Sequence, residues 1–351
     1  MAVPDTPSTS PTPESRQQLL ALIRGYRISQ AIYVATALGI PDLLADGPRE
    51  VDDLARESRA HASSLRRLLR ALAGVGVFDK VGPDRFALAP AGAALRTGVP
   101  GSVQPSVLFL LNESHWQPWG HLLHSVRTGE TAFDHVHGTG LFDYLASHPE
   151  ESTLFNKGMA GNSPAHAHLV ARTYDFSGMT KVIDVGGGRG RLIATILAEH
   201  EHLRGILFDQ PHVVESARET LDDADVADRC ELVVGSFFDA VPRGGDAYLL
   251  RNIIHDWQDE QAIAILTTCR RAMADGARLV LVERHVPDDP REALLVLHAD
   301  LEMLVNVGGL ERTTEEYVRL LERSRFRLSR TISLGRAEEA MGHYLLEAQP
   351  I

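Results

Sequence analysis

The stretch Val182-Ile183-Asp184-Val185-Gly186-Gly187-Gly188-Arg189-Gly190 restricts the fold more than any other part of this chain. It reads as a buried strand, a glycine turn and the start of a helix. From Lys181 onward strands and helices alternate. Strands are expected at Val182–Val185, Gly205–Asp209, Cys230–Val234, Ala247–Arg251 and Arg278–Glu283. Helices are expected at Arg191–Glu199, Val213–Ala217 and Asp259–Met273. This alternation predicts a doubly wound α/β sheet of Rossmann type. Ligands of such sheets sit at the carboxyl ends of the strands. Asp184 to Gly190, Asp209, Ser236-Phe237, Arg251 to Asp256 and Glu283 are therefore predicted to converge on one cleft.

The glycines narrow the ligand. Gly186, Gly188 and Gly190 have no Cβ, so a ligand can lie against the backbone there. Asp209 follows Gly190 at the spacing that sets a carboxylate on a ribose diol. A dinucleotide turn has the pattern G-x-G-x-x-G, but this turn reads G-x-G-x-G, with Arg191 where the last glycine is required. No lysine–serine pair follows, which argues against a P-loop. A turn of this shape suits S-adenosylmethionine, which has no pyrophosphate to cradle. NAD or FAD is the second reading, and a glycine turn without a ligand is the third.

The formal net charge of −12 argues against a nucleic-acid binder and against an anionic membrane surface. Cys230 and Cys269 are the only cysteines, too few for a metal spacing or a disulfide framework, which fits a reducing cytoplasm. No apolar run reaches membrane-spanning length. Residues 1–15, rich in Pro, Ser and Thr, are expected to form a disordered tail. Residues 16–111 read as a compact helical domain. A long apolar helix over Leu19 to Ile40 precedes helices at Val51–Ser58 and Ser63–Val75, then a hairpin over Val77–Leu88 with Gly82-Pro83-Asp84 as its turn. That order predicts a winged helix. Arg66, Arg67 and Arg70 could face phosphates, but acidic and basic residues nearly balance in this domain, so they are expected on a solvated face. The apolar first helix suggests burial against a partner subunit. Residues 112–351 are assigned to a helical connector plus the α/β domain. The connector's histidines, from His115 to His168, lack paired ligand spacing, so no metal is expected.

His255 stands just past a strand, at the same sheet edge as the glycine turn. Glu283 ends the next strand, and Glu311 follows in Gly308-Gly309-Leu310-Glu311-Arg312-Thr313. One histidine flanked by two carboxylates fits a general base held in one tautomer, with its imidazolium stabilised once formed. A phenol, with a pKa near 10, needs such a base at neutral pH. The phenolate would attack a sulfonium methyl in line, and a dry pocket favours the joining of opposite charges.

These motifs resemble the S-adenosylmethionine-dependent small-molecule O-methyltransferases, which include caffeic-acid-type plant enzymes and bacterial enzymes that tailor aromatic polyketides and related natural products. The likeness runs from about Gln17 to the C-terminus. It rests on Asp184 to Gly188, Phe208-Asp209-Gln210-Pro211-His212, Gly235-Ser236-Phe237-Phe238, His255-Asp256-Trp257, Val282-Glu283 and Gly308 to Thr313. The resemblance implies a Rossmann-like methyltransferase domain, a winged-helix domain used for dimerisation and not DNA, and a homodimer. It implies His255, Glu283 and Glu311 as the catalytic set. Asp184, Gly186, Gly188, Asp209, Gln210, Ser236, Phe237 and Arg251 would form the cofactor site. Trp116, Met159, Asn162, Asp256, Met303 and Asn306 would face the acceptor. Plant members usually carry Asp at the position of Ser236 and Lys at that of Arg251, so contacts there are expected to differ. N-methylation on the same fold, a cofactor-sensing DNA-binding regulator and a dehydrogenase are the other readings.

Overall fold

The computed structural model describes residues 10–160, 163–287, 289, 291, 293–335 and 342–351. The chain divides into two compact units. One runs to Trp116 and takes in the segment from Glu150; the other comprises Gln117–Pro149 and the chain from Asn162 onward.

The first unit opens on the helix Pro13–Ala37. Thr12 caps it: its Oγ1 accepts from the Ser15 amide at 3.1 Å, and Ser15 Oγ accepts from the Thr12 amide at 3.0 Å. Pro13, at the first helical position, has no amide hydrogen to leave unpaired. The helix thus begins inside the segment expected to be a tail. Little of it is buried before Ala35 and Thr36, and Leu19, Leu22, Ile23 and Tyr26 are more than half exposed. Helices Val51–Ser58 and Ala62–Ala73 follow, close to expectation. β1 (Arg49–Glu50), β2 (Phe78–Lys80) and β3 (Arg85–Leu88) form an antiparallel sheet in the order β1-β3-β2. Leu54, Leu65, Leu69, Leu72, Phe78 and Phe86 form the core of this unit.

The second unit carries a seven-stranded sheet ordered β6-β5-β4-β7-β8-β10-β9. Its parallel strands are β4 (Lys181–Val185), β5 (Arg204–Asp209), β6 (Cys230–Val234), β7 (Ala247–Arg251) and β8 (Arg278–Arg284). β10 (His343–Pro350) runs antiparallel between β8 and β9 (Phe326–Ser333). Successive side chains alternate between the faces. Val182, Leu207, Leu249, Val280 and Leu345 join one core with helices Ser163–Thr173, Arg191–Glu199 and Pro211–Asp223. Ile183, Phe208, Leu250, Leu281 and Leu346 join the other with helices Asp259–Ala272 and Thr314–Arg323. The strand order reverses at β4, so the crevice of a doubly wound sheet opens beside its carboxyl end. The helix after β5, Pro211–Asp223, is longer than the Val213–Ala217 expected: Gln210 and Pro211 start it two residues early, and it continues six residues beyond Ala217. Cys230 and Cys269 are free and buried. No helix among the described residues is long and apolar enough to cross a membrane.

Candidate active site

The glycine turn follows β4 directly. The amide of Gly186 donates to Phe208 O at 2.8 Å, which folds the turn back onto β5. Gly186, Gly188 and Gly190 have φ values of +72, +59 and +78. An L side chain adopts such angles at a cost of about 1–2 kcal/mol. A Cβ at Gly186 would lie 2.5 Å from Ile253 Cδ1, and one at Gly190 2.8 Å from Leu207 Cδ1, whereas one at Gly188 would meet nothing within 4 Å. Gly186 and Gly190 are thus closed by packing, and Gly188 presents bare backbone to open space. Asp209, at the tip of β5, accepts from the Gly188 amide at 2.8 Å and from the Gln210 amide at 2.6 Å. Its carboxylate is tied to the turn from which a ligand would approach. A turn without side-chain bulk beside an acid at a strand tip fits the adenosine end of S-adenosylmethionine.

The remaining residues expected at the cofactor take different places. Asp184 is buried beneath the turn, with its carboxylate against Gly187 and the Ile193 amide, and burial raises its pKa to about 7. It supports the turn from within. Arg251 ends β7. Register sets Leu249 beside Asp184, so Arg251 runs alongside Gly186. Burial lowers the Arg251 pKa, and the nearby Asp184 carboxylate opposes that shift. Ser236 Oγ accepts from the Phe238 amide at 3.2 Å and so caps the loop after β6. The Phe237 ring lies next to Gly186 and meets Trp257 edge-on at 6.0 Å. Gln210 is exposed and caps its helix through backbone alone.

His255 sits on a 3-10 turn, Ile254–Asp256, just after β7. Asn252 starts this turn with φ +52, a left-handed conformation that asparagine tolerates better than most residues. The ring is held at both nitrogens. Nδ1 is 3.0 Å from Glu311 Oε1, and Nε2 is 3.3 Å from Asp256 Oδ1. Glu311 Oε1 also accepts from Arg284 Nη1 at 2.8 Å, and the Glu311 amide donates to Asp300 Oδ1 at 2.9 Å. Glu283 differs from expectation: its Oε1 accepts from the Ile253 and Ile254 amides at 3.1 and 2.8 Å. It therefore grips the backbone of the turn, while Asp256 takes the second flank of the ring.

These contacts set the charges. Burial alone would depress the His255 pKa; Asp256 and Glu311 outweigh it and raise the value to about 9. Burial would raise Glu311, but the His255 imidazolium and Arg284 hold it below the usual range. Glu283, fully buried, is raised to about 7 by desolvation. The Asp256 side chain is 22% exposed and that of Glu311 0%, so the Nδ1 flank of the ring is the more deeply enclosed of the two.

Met303 and Asn306 share a π-helical turn, Met303–Val307, a form found often at functional sites. Glu302 locks the Asn306 amide, accepting from its Nδ2 at 2.8 Å and, through the other oxygen, from Trp119 Nε1 at 3.1 Å. Gln258 Nε2 donates to Gly308 O at 2.6 Å and the Leu310 amide to His255 O at 2.8 Å, so this segment and the His255 turn are joined. Trp119 is thus linked to Asn306 through Glu302. Trp116 belongs to the other unit, as does the segment from Glu150 that carries Met159. Asn162 and the side chain of Met159 lie outside the described residues. Arg284, Asp300, Glu302, Trp119 and Arg312 were not singled out from the sequence. Arg284, Glu302 and Arg312 are sequence neighbours of the candidates Glu283, Met303 and Glu311.

Comparison with known proteins gives the family. Residues 119–327 match the O-methyltransferase domain and residues 20–98 the O-methyltransferase dimerisation domain. The chain is 43% identical over 333 residues to a phenazine O-methyltransferase of Lysobacter antibioticus, covering 95% of this chain and 96% of that one. It is 37% identical over 324 residues to an 8-amino-8-demethylriboflavin N,N-dimethyltransferase of Streptomyces davaonensis, covering 91% and 92%. The solved structure of an O-methyltransferase from neocarzinostatin biosynthesis, in complex with S-adenosylmethionine and 2-hydroxy-5-methyl naphthoic acid, superposes with a TM-score of 0.82 at 30% identity, covering 92% and 96%. This chain therefore belongs to the O-methyltransferase family, with a Rossmann-like catalytic domain preceded by the family's dimerisation domain.

Proposed function

We propose that this protein is an S-adenosylmethionine-dependent O-methyltransferase that methylates a phenolic hydroxyl of an aromatic natural-product intermediate, with His255 as general base. The observation that carries this reading is the His255 ring, anchored on Nδ1 by the buried Glu311 and flanked on Nε2 by the partly exposed Asp256. S-adenosylmethionine supplies an electrophilic methyl group on a sulfonium. Gly186 and Gly188 would receive it along the backbone, Asp209 would hold its ribose, Phe237 would pack on its adenine, and Arg251 would lie by its methionine tail. Met303 and Asn306 would face the acceptor.

His255 accepts the phenolic proton at Nε2. A base with a pKa near 9 is closely matched to a phenol near 10, so the transfer is almost balanced. Glu311 keeps Nδ1 protonated and so leaves the lone pair on Nε2. The charge that forms on the ring is shared with Glu311, which Arg284 steadies in turn. Glu283 holds the turn that carries the ring. None of these steps calls on a metal ion.

One relative is named as a phenazine O-methyltransferase and one solved neighbour holds 2-hydroxy-5-methyl naphthoic acid, and this supports an aromatic acceptor. The dimerisation domain and the exposed apolar face of helix Pro13–Ala37 support a homodimer. DNA contact is disfavoured: Arg66 is bound within the domain, 2.6 Å from Asp84. Free, buried cysteines suit a cytoplasmic location. N-methylation is the second reading, favoured by the N,N-dimethyltransferase relative.

The test is S-adenosylhomocysteine release with phenols, naphthols and aryl amines, from wild type and His255→Ala. Phenol-dependent release that falls by about 10²-fold or more in His255→Ala, with S-adenosylhomocysteine affinity kept, is expected. Undiminished turnover of phenols by His255→Ala would remove the base assignment, and release with amines alone would favour the second reading.

A further inference from the structure

The segment Gly308–Thr313 does more than deliver Glu311. Arg312, the next residue, is fully buried, an uncommon place for a guanidinium. Its donors converge on the backbone that carries His255. Nη1 donates to Ile254 O at 3.0 Å and Nη2 to Trp257 O at 2.8 Å, so the carbonyls on either side of the histidine are both engaged. Nε and Nη2 also meet Asp259 Oδ1 at 3.2 and 2.9 Å, which ties in the first turn of the following helix. From the same segment, the Leu310 amide donates to His255 O. Gly309 packs so closely there that a Cβ would lie 1.9 Å from that oxygen.

Adjacent residues in an extended segment point in opposite directions. Glu311 takes the imidazole while Arg312 takes the backbone beneath it. We propose that Arg312 is a positioning residue of the reaction, one that keeps the His255 imidazole on Glu311 by clamping both ends of the turn on which the histidine sits. This proposal rests on His255 being the base. A planar fork with several donors is needed to reach both carbonyls and Asp259 together; a lysine ammonium cannot span them. The segment itself has other anchors. Its backbone pairs with His285 and Val286, and Thr313 caps the next helix with Glu316. A change confined to the Arg312 side chain should therefore leave the fold in place.

The experiment compares wild type, Arg312→Lys, Arg312→Ala, His255→Gln and the double variant Arg312→Lys/His255→Gln. For each, kcat, KM, the pH dependence of kcat/KM, melting temperature and S-adenosylhomocysteine affinity by calorimetry are measured. Arg312→Lys is expected to lose about 10-fold in kcat and Arg312→Ala about 10²-fold, since small misplacement of a reacting group has effects of this size. Affinity for S-adenosylhomocysteine should stay within about 2-fold, because Arg312 touches none of the glycine turn. As the ring loosens from Glu311, the rising limb of the pH profile should move to lower pH. Added to His255→Gln, Arg312→Lys should cost little more, because both act through one group. Guanidinium ion should restore part of the activity of Arg312→Ala.

Wild-type kcat and pH profile in Arg312→Lys would overturn the proposal. So would losses that multiply in the double variant, or losses that follow the unfolded fraction with the pH profile unmoved. If Arg312→Ala does not fold, Arg312→Lys still decides. His255→Gln with full activity toward phenols would instead remove the base reading on which the proposal rests, and that single variant separates the two failures.

Discussion

At the scale of single residues, the chemistry turns on how firmly His255 holds its proton. With a pKa raised to about 9 by Asp256 and Glu311 against the effect of burial, the ring is mostly imidazolium at neutral pH. A base must be neutral to accept, so kcat/KM should climb about tenfold per pH unit from pH 7 and level off near pH 9. Asp256→Asn removes the carboxylate 3.3 Å from Nε2. Its limb should shift to lower pH, and its activity at neutral pH should fall less than at high pH. A pH profile flat from 6 to 10 in wild type would show that the proton on His255 does not limit the reaction. Of this arrangement, His255 and Glu283 are legible in the sequence because each stands at the end of a strand, and Glu311 because it lies in the glycine-rich motif Gly308–Thr313. Which carboxylate meets which nitrogen is not. Glu283 is spaced as well as Glu311 to reach the ring, yet the Ile253 and Ile254 amides claim it.

At the scale of elements, two glycines of the cofactor turn are required for different reasons, and alanine separates them. Gly186→Ala adds both a left-handed φ and a collision with Ile253, whereas Gly188→Ala adds the φ alone and points into open space. Gly186→Ala should therefore lower the melting temperature more. Gly188→Ala should cost about 1–2 kcal/mol of stability and weaken S-adenosylhomocysteine binding disproportionately. Equal melting temperatures with equal affinities would contradict this division. The strand–turn–helix sequence was readable because apolar runs, glycines and strand ends are local signals. The final strands were not. β9 sits at the sheet edge and alternates with exposed polar residues, and β10 buries Glu347, which its pattern gives no reason to expect inside. Only the pairing with Tyr174, Arg278 and Arg330, at 2.7, 2.7 and 2.9 Å, makes that carboxylate tolerable.

At the scale of the whole molecule, helix Pro13–Ala37 remains the most conspicuous apolar surface, with Leu22 71% exposed. A protein whose dimerisation domain carries such a helix should lose its dimer when that face is charged. Leu22→Asp with Ile23→Asp is expected to give a monomer by sedimentation, and persistence of a dimer would move the interface elsewhere. What the sequence determined by itself was the class of sheet, the position of the glycine cradle and the strand ends at which chemistry gathers. Each follows from a period or a turn encoded within a few residues. Only the tertiary structure decided that Glu311, 56 positions from His255, lies on Nδ1, that Asp256 guards Nε2, and that Arg312 clamps the turn between them. Contacts between distant residues depend on sheet register and loop path. Hydrophobic periodicity carries the faces of strands and helices but not the points at which separate loops meet.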